Sequence, residues 1–187
     1  MDAVPREPKR WSRSAYDFLV AQGAFQPNER VELIEGDILT MTPQDRPHAT
    51  TVMLTQEALR QAFGPQCHVQ VQLPLAISHV SEPEPDLAVI AGSPRDYPQH
   101  PTTARLVVEV SDTTLAFDRK RKGPLYAGAG IPEYWIVNLA DRILEVYREP
   151  IETADGWHYR LVHRVGPGEQ VIPLGQAAGI RIDALLP

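Results

Sequence analysis

The stretch from Arg105 to Tyr126, RLVVEVSDTTLAFDRKRKGPLY, limits the possible folds of this chain more than any other. It opens as a near-continuous apolar run, which reads as a buried central strand. Such a strand belongs inside a sheet with helices packed on it. One residue breaks the run. Glu109 is a carboxylate in an apolar strand, which is costly unless it is paired or bound to a metal. Alternation puts Leu106, Val108 and Val110 on one face and Val107, Glu109 and Ser111 on the other.

A second carboxylate, Asp86 of EPDLAVI, follows Pro85 and so lies at a sheet end or in a cleft. Downstream, Asp118, Lys122 and Tyr126 fall at i, i+4 and i+8, one face of a helix. Two acids and a lysine brought together by two strands and a helix point to a metal-dependent hydrolytic site. If the two strands are neighbours, Asp86 and Glu109 converge into a hard-oxygen site for Mg²⁺ or Mn²⁺. Such a metal can activate water and steady the charge of a phosphodiester. A lysine beside it would orient or deprotonate the water and stabilise developing charge.

The remaining pattern alternates helices and strands. A helix is expected from Ser12 or Ser14 through Val20, then a hairpin around Glu35-Gly36 in RVELIEGDILTM. A second helix runs from His48 to about Phe63, stopped by Gly64-Pro65. Cys67 to Ile77 alternates with period two and is the cleanest strand signal. Strands follow at 86–91, 105–111 and 133–139, with a helix over Thr113–Ala129. An antiparallel pair, 143–148 and 157–165, surrounds the Asp155-Gly156 turn, and short strands lie at 171–174 and 180–182. The fold class is α+β or mixed α/β, a central mixed sheet flanked by helices with additional antiparallel hairpins. Residues 1–11 read as a flexible arm and 12–187 as a single domain, as 187 residues suit one core better than two.

Composition narrows function. A net charge of −6 argues against a general nucleic-acid coat protein, which would be basic overall. It leaves room for an enzyme with a local basic patch, and the basic run is Arg119 to Lys122, which reads equally as a solvated helix face. No apolar run is long enough for a membrane helix, and MDAVPREPKRW lacks the apolar core of a signal peptide. The single cysteine, Cys67, fits a reducing cytoplasm. No paired zinc spacing, G-x-S-x-G, Walker-type loop or dinucleotide fingerprint is present.

Pro85-Asp86 followed by Glu109-Val110-Ser111 resembles the PD-(D/E)XK nuclease core. The chain as a whole resembles the Uma family, a restriction-endonuclease-like branch of that superfamily. The resemblance rests on RVELIEGDILTM-P with His48, PEPDLAVI, LVVEVSD, the D-x-x-x-K-x-x-x-Y of Asp118, Lys122 and Tyr126, AGIPEYWIVN and IRIDALLP, over roughly residues 30–187. It implies that Asp86 and Glu109 ligate metal and that the Val110 carbonyl adds an oxygen. The usual motif lysine would stand at position 111, which is Ser111 here; the Uma-like pattern supplies it from the next helix, as Lys122. Glu32 matches an additional acid that binds metal directly or through water, and His48 matches a histidine at the start of the second helix. Asn138 departs from the Asp that commonly ends the EYW-type strand.

The resemblance thus implies a metal-dependent DNA endonuclease. A homodimer would suit twofold cutting of a duplex. The competing reading is a nuclease-fold module that binds nucleic acid or protein with weak or lost activity. Each residue also has a plainer role open to it: a buried hydrogen-bonded acid for Glu109, a turn or cap for Asp86, an i,i+4 bridge to Asp118 for Lys122, core packing for Tyr126, and a solvated hairpin position for Glu32.

Overall fold

The computed structural model describes residues 8–41 and 43–187. Most of the expected arm, residues 1–7, lies outside them. The part that is described is tied down: Trp11 donates its N–H to the Gly36 carbonyl at 2.9 Å, and Arg10 pairs with Asp37 at 2.6 Å.

The centre is a six-stranded mixed sheet, β3 (Cys67–Val71), β4 (Leu87–Ala91), β5 (Leu106–Ser111), β6 (Glu133–Asn138), β7 (Ile143–Thr153) and β8 (Gly156–Val165), in that spatial order. Only β5 and β6 are parallel. The long crossover that a parallel pair requires is the helical segment between them. Two small hairpins stand apart, β1 (Val31–Ile34) with β2 (Asp37–Thr40), and β9 (Gln170–Val171) with β10 (Ile180–Arg181). The β1–β2 turn has Glu35 and Gly36 both at positive φ, the conformation a two-residue hairpin favours.

Helices cover both sheet faces. α1 (Arg13–Ala21) is capped by Ser12, and α2 (Arg46–Phe63) by Asp45, whose carboxylate accepts the His48 N–H. Pro47 sits in the first turn of α2, where no backbone donor is needed. Val52, Leu59 and Phe63 of α2 pack on Leu87, Leu106, Val108, Val110 and Trp135. The opposite core joins Ala88, Val107 and Ile136 to Tyr126, Ala127 and Tyr134. β5 is buried along its whole length, which is why its sequence reads as one apolar run.

β7 runs on past the expected 148 to Thr153 and the strand expected at 171–174 stops at Val171; two other elements differ more from the sequence expectation. The alternating stretch from Cys67 to Ile77 is a strand only to Val71. Gln72 turns to φ 51°, and Pro74 has no N–H to give a ladder, so the chain leaves the sheet there. The helix expected over Thr113–Ala129 has three parts: α3 (Leu115–Phe117), a π-helical turn (Asp118–Lys122) and α4 (Gly123–Gly128). Pro124 cannot donate to the Lys120 carbonyl and its ring crowds that carbonyl. The Gly123 N–H instead reaches Asp118, the wider i→i+5 closure of a π turn. No helix among the described residues is long and apolar enough to cross a membrane.

Candidate active site

β4 and β5 are antiparallel with Leu87 opposite Val108, so one step further Asp86 faces Glu109 across the end of the ladder. The backbone locks them together. The Val110 N–H donates to Asp86 Oδ2 at 2.9 Å, and the Asp86 N–H lies 3.4 Å from Glu109 Oε2. β4 has ended at this point, so the edge of Val110 is free for a side chain instead of a strand.

Lys122 enters from the π turn. Its Nζ is 3.0 Å from Glu109 Oε1 and 3.3 Å from Glu32 Oε2. Asp86, Glu109, Lys122 and Glu32 are 7%, 4%, 5% and 6% exposed, so this is a buried charge cluster. Tyr126, one turn on, donates its hydroxyl to Glu109 Oε1 at 2.7 Å. In an ideal helix an i+4 step overshoots a full turn by about 40° and an i+8 step by about 80°. The π turn packs more residues into its circuit and offsets that drift, so Asp118, Lys122 and Tyr126 all face inward.

Glu32 comes from β1, whose hairpin docks on the segment before Asp86. Leu33 and Glu82 exchange backbone hydrogen bonds, and Glu32 Oε2 accepts the Glu84 N–H at 3.1 Å. His48 stands on the first turn of α2 with Nε2 3.2 Å from Asp86 Oδ2. Asp118 accepts from Thr114 at 2.7 Å, and Ser111 lies behind it with Oγ 3.4 Å from Thr114 Oγ1. Asp86, Glu109, Glu32, Lys122, His48, Asp118 and Val110 line one pocket of about 500 Å³, whereas Ser111 and Tyr126 stand outside its lining. Asn138 is away from it and donates to Asp141 and Glu145.

Sequence reasoning missed the polar groups that hold Asp86. Gln72 and Gln44 reach its Oδ1 at 3.2 and 3.4 Å. Gln72 does so because its left-handed turn ends β3 beside Asp86, and the uninterrupted alternation around it gives no sign of that turn.

The electrostatics split the two acids. Burial pushes the Glu109 carboxyl up to about 8, with Lys122 pulling it back. Burial also works on Asp86, but the His48 ring, the Val110 N–H and Gln72 outweigh it and hold that carboxyl below its usual range. Burial disfavours the Lys122 ammonium, yet Glu109, Glu32 and Asp118 together hold it protonated above the ordinary lysine range. His48 is raised in the same manner: Asp86 and the Val110 carbonyl overcome its burial. Asp118 is raised by burial.

The donor set suits a hard divalent cation. Two carboxylates meet at one strand end, and the Val110 carbonyl, on the same strand edge as its N–H, gives a third oxygen. Among the described residues, no three His, Cys, Asp or Glu side chains stand close enough to hold a metal by themselves.

The model of the Uma2 family, described as "Putative restriction endonuclease", matches residues 15–184. The chain belongs to the Uma2 family. Among solved structures, a putative nuclease belonging to DUF820 from Anabaena variabilis ATCC 29413 superposes with a TM-score of 0.69 at 14% identity. The match covers 93% of this chain and 96% of that one, and at that identity it is a likeness of fold. No curated protein matches the chain. In this Uma2 member three cations of the basic run are paired internally, while Lys120 is exposed. Arg119 pairs with Glu145, Arg121 with Asp37 and Glu35, and Lys122 with Glu109 and Glu32.

Proposed function

We propose that this chain is a metal-dependent endonuclease that hydrolyses phosphodiester bonds in DNA. The observation that carries the reading is Lys122. A lysine from the helix after β5 reaches the Asp86–Glu109 pair, although the strand position two residues after Glu109 is a serine.

Asp86, Glu109 and the Val110 carbonyl would hold Mg²⁺ or Mn²⁺, with Glu32 joining through water, and the ion would supply an acidified water and charge neutralisation at the phosphate. The chain's own groups set the stage. The Val110 N–H and Gln72 fix the orientation of Asp86. Lys122 and Tyr126 fix that of Glu109. Held protonated, Lys122 donates hydrogen bonds and stabilises charge on the phosphoryl oxygens; it does not act as the base. His48 and Asp118 border the pocket and orient polar groups around it. Overall, water adds across one P–O ester bond, leaving a phosphomonoester on one fragment and a hydroxyl on the other.

The competing reading, a binding module without activity, gains little from a basic run whose arginines are paired internally. The protein is cytoplasmic, folds as one unit over residues 12–187 and assembles as a homodimer, whose mass sedimentation analysis tests. For activity, plasmid DNA, native and heat-denatured, is incubated with Mg²⁺ and with Mn²⁺. Cleavage by the wild type, lost in Asp86→Ala and Lys122→Ala, is expected. Calorimetry should show Mn²⁺ binding that Asp86→Ala and Glu109→Ala remove. Intact plasmid with both metals, together with no Mn²⁺ heat, refutes the assignment.

A further inference from the structure

Resting on the nuclease reading, we infer that the pocket holds an unstacked nucleobase beside the scissile phosphate, so that the substrate is single-stranded or locally opened DNA. Three observations lead there.

The first is the pocket wall. Beside its charged groups the pocket is also lined by Leu39, Met41, Pro43 and Phe117. A phosphate and its cation have no use for an apolar wall. The apolar part of a nucleotide next to its phosphate is the base, and every base has a face that stacks on such a surface.

The second is the placement of Phe117. It is the last residue of α3, directly before the π turn sends Asp118 inward. Its ring is half-buried, with the Arg121 guanidinium carbon 5.9 Å from the ring centroid. Arg121 is itself fixed by Asp37 and the Ile34 carbonyl. The ring is therefore braced by a cation that does not move freely while it lines the pocket.

The third is charge. A duplex carries one negative charge per roughly 1.7 Å of axis, and proteins hold it by neutralising phosphates. Here the chain is net −6, and the two arginines of its basic run are paired with acids. Neither arginine is free to neutralise a duplex phosphate. Stacking is the source of binding that the pocket does provide. In an intact duplex the base is stacked on its neighbours and must be swung out to meet Phe117, a cost that an already open strand avoids.

The test compares one sequence as a single strand, as a bubble and as an unbroken duplex, with 2-aminopurine as the fluorescent base and Ca²⁺ replacing Mg²⁺ for the binding arm. Single strand and bubble are expected to bind at least about tenfold tighter than duplex, with quenched fluorescence and a shallow salt dependence. Phe117→Ala should weaken single-strand binding by roughly tenfold, and Phe117→Trp should retain it. Thermal unfolding of each variant confirms that it is folded. Duplex bound as tightly as single strand, or Phe117→Ala without effect on binding, overturns the inference even if cleavage is observed. Absence of cleavage on every form with Mg²⁺ and Mn²⁺ sinks the nuclease reading instead, while the binding arm still decides the stacking site by itself.

Discussion

Replacing Lys122 with Met tests the centre of the argument, because it removes the charge and keeps the buried stem. The wild-type ammonium lies 3.0 Å from Glu109 and 3.3 Å from Glu32, and all three side chains are buried. Breaking a buried pair by deleting one partner typically costs about 3–5 kcal/mol, because a charge is left buried and unpaired. For a chain of this length each kcal/mol moves the melting temperature by roughly 2–4 °C, so Lys122→Met should melt about 6–20 °C lower. Glu109 can relieve part of the penalty by taking up a proton, since burial already pushes its carboxyl up to about 8. Losing Lys122 raises it further. The destabilisation should therefore be larger at pH 9, where wild-type Glu109 is ionised against Lys122 and the variant's is not so paired, than at pH 6, where Glu109 is protonated in both. The double variant Lys122→Met/Glu109→Gln should regain stability, because the unpaired carboxylate is gone. The assay is urea unfolding of the metal-free protein at both pH values. A lysine bridging only to Asp118 on an exposed helix face would contribute about 0.3–0.5 kcal/mol. A loss of that size, equal at both pH values, refutes the buried cluster.

Two further outcomes follow from other contacts. Tyr126→Phe removes the hydroxyl donor 2.7 Å from Glu109 while preserving the ring packing; it should cost about 1–3 kcal/mol in chemical unfolding and leave far-UV circular dichroism unchanged. Glu145 is buried, but Arg119, Tyr147 and Asn138 outweigh burial and hold its carboxyl below the ordinary value of 4.5. Its stabilising effect is complete above pH 4.5 and is lost as pH falls through the lowered value. The stability gap between wild type and Glu145→Gln, followed by thermal unfolding, should hold steady from pH 7 to 5 and narrow on further acidification. A gap that does not change with pH contradicts the assigned pairing.

β5 could be read from sequence because a strand buried on both faces leaves an unbroken apolar signature, and Glu109 stood out against it. Asp86 followed from the proline before it and the apolar run after it. The hairpin turn was visible in Glu35-Gly36. What the sequence hides is long-range. Nothing local shows that Glu32 meets Lys122, since that contact depends on the β1–β2 hairpin docking through backbone bonds to the Glu82 segment. The partners of Arg119 and Arg121 lie on β7 and at the hairpin, so the basic run looks solvated until the fold is seen. The early end of β3 was masked because alternation continues through Leu73, Leu75 and Ile77 after the backbone has turned at Gln72. The helix expected over 113–129 passes through Pro124, which has no N–H for an α-helical ladder, and the π turn lies directly before it.

That π turn makes the position of Lys122 sensitive to residue count as well as residue type. Deleting one residue between Asp118 and Lys122 would shift Lys122 and α4 by about 100° relative to Asp118, so that Asp118, Lys122 and Tyr126 could no longer all face Glu109. Along this segment, insertions and deletions act on the site more severely than most substitutions. Position 111 escapes that constraint: with the cation delivered from the helix, the strand needs only a small buried residue there, and Ser111 suffices.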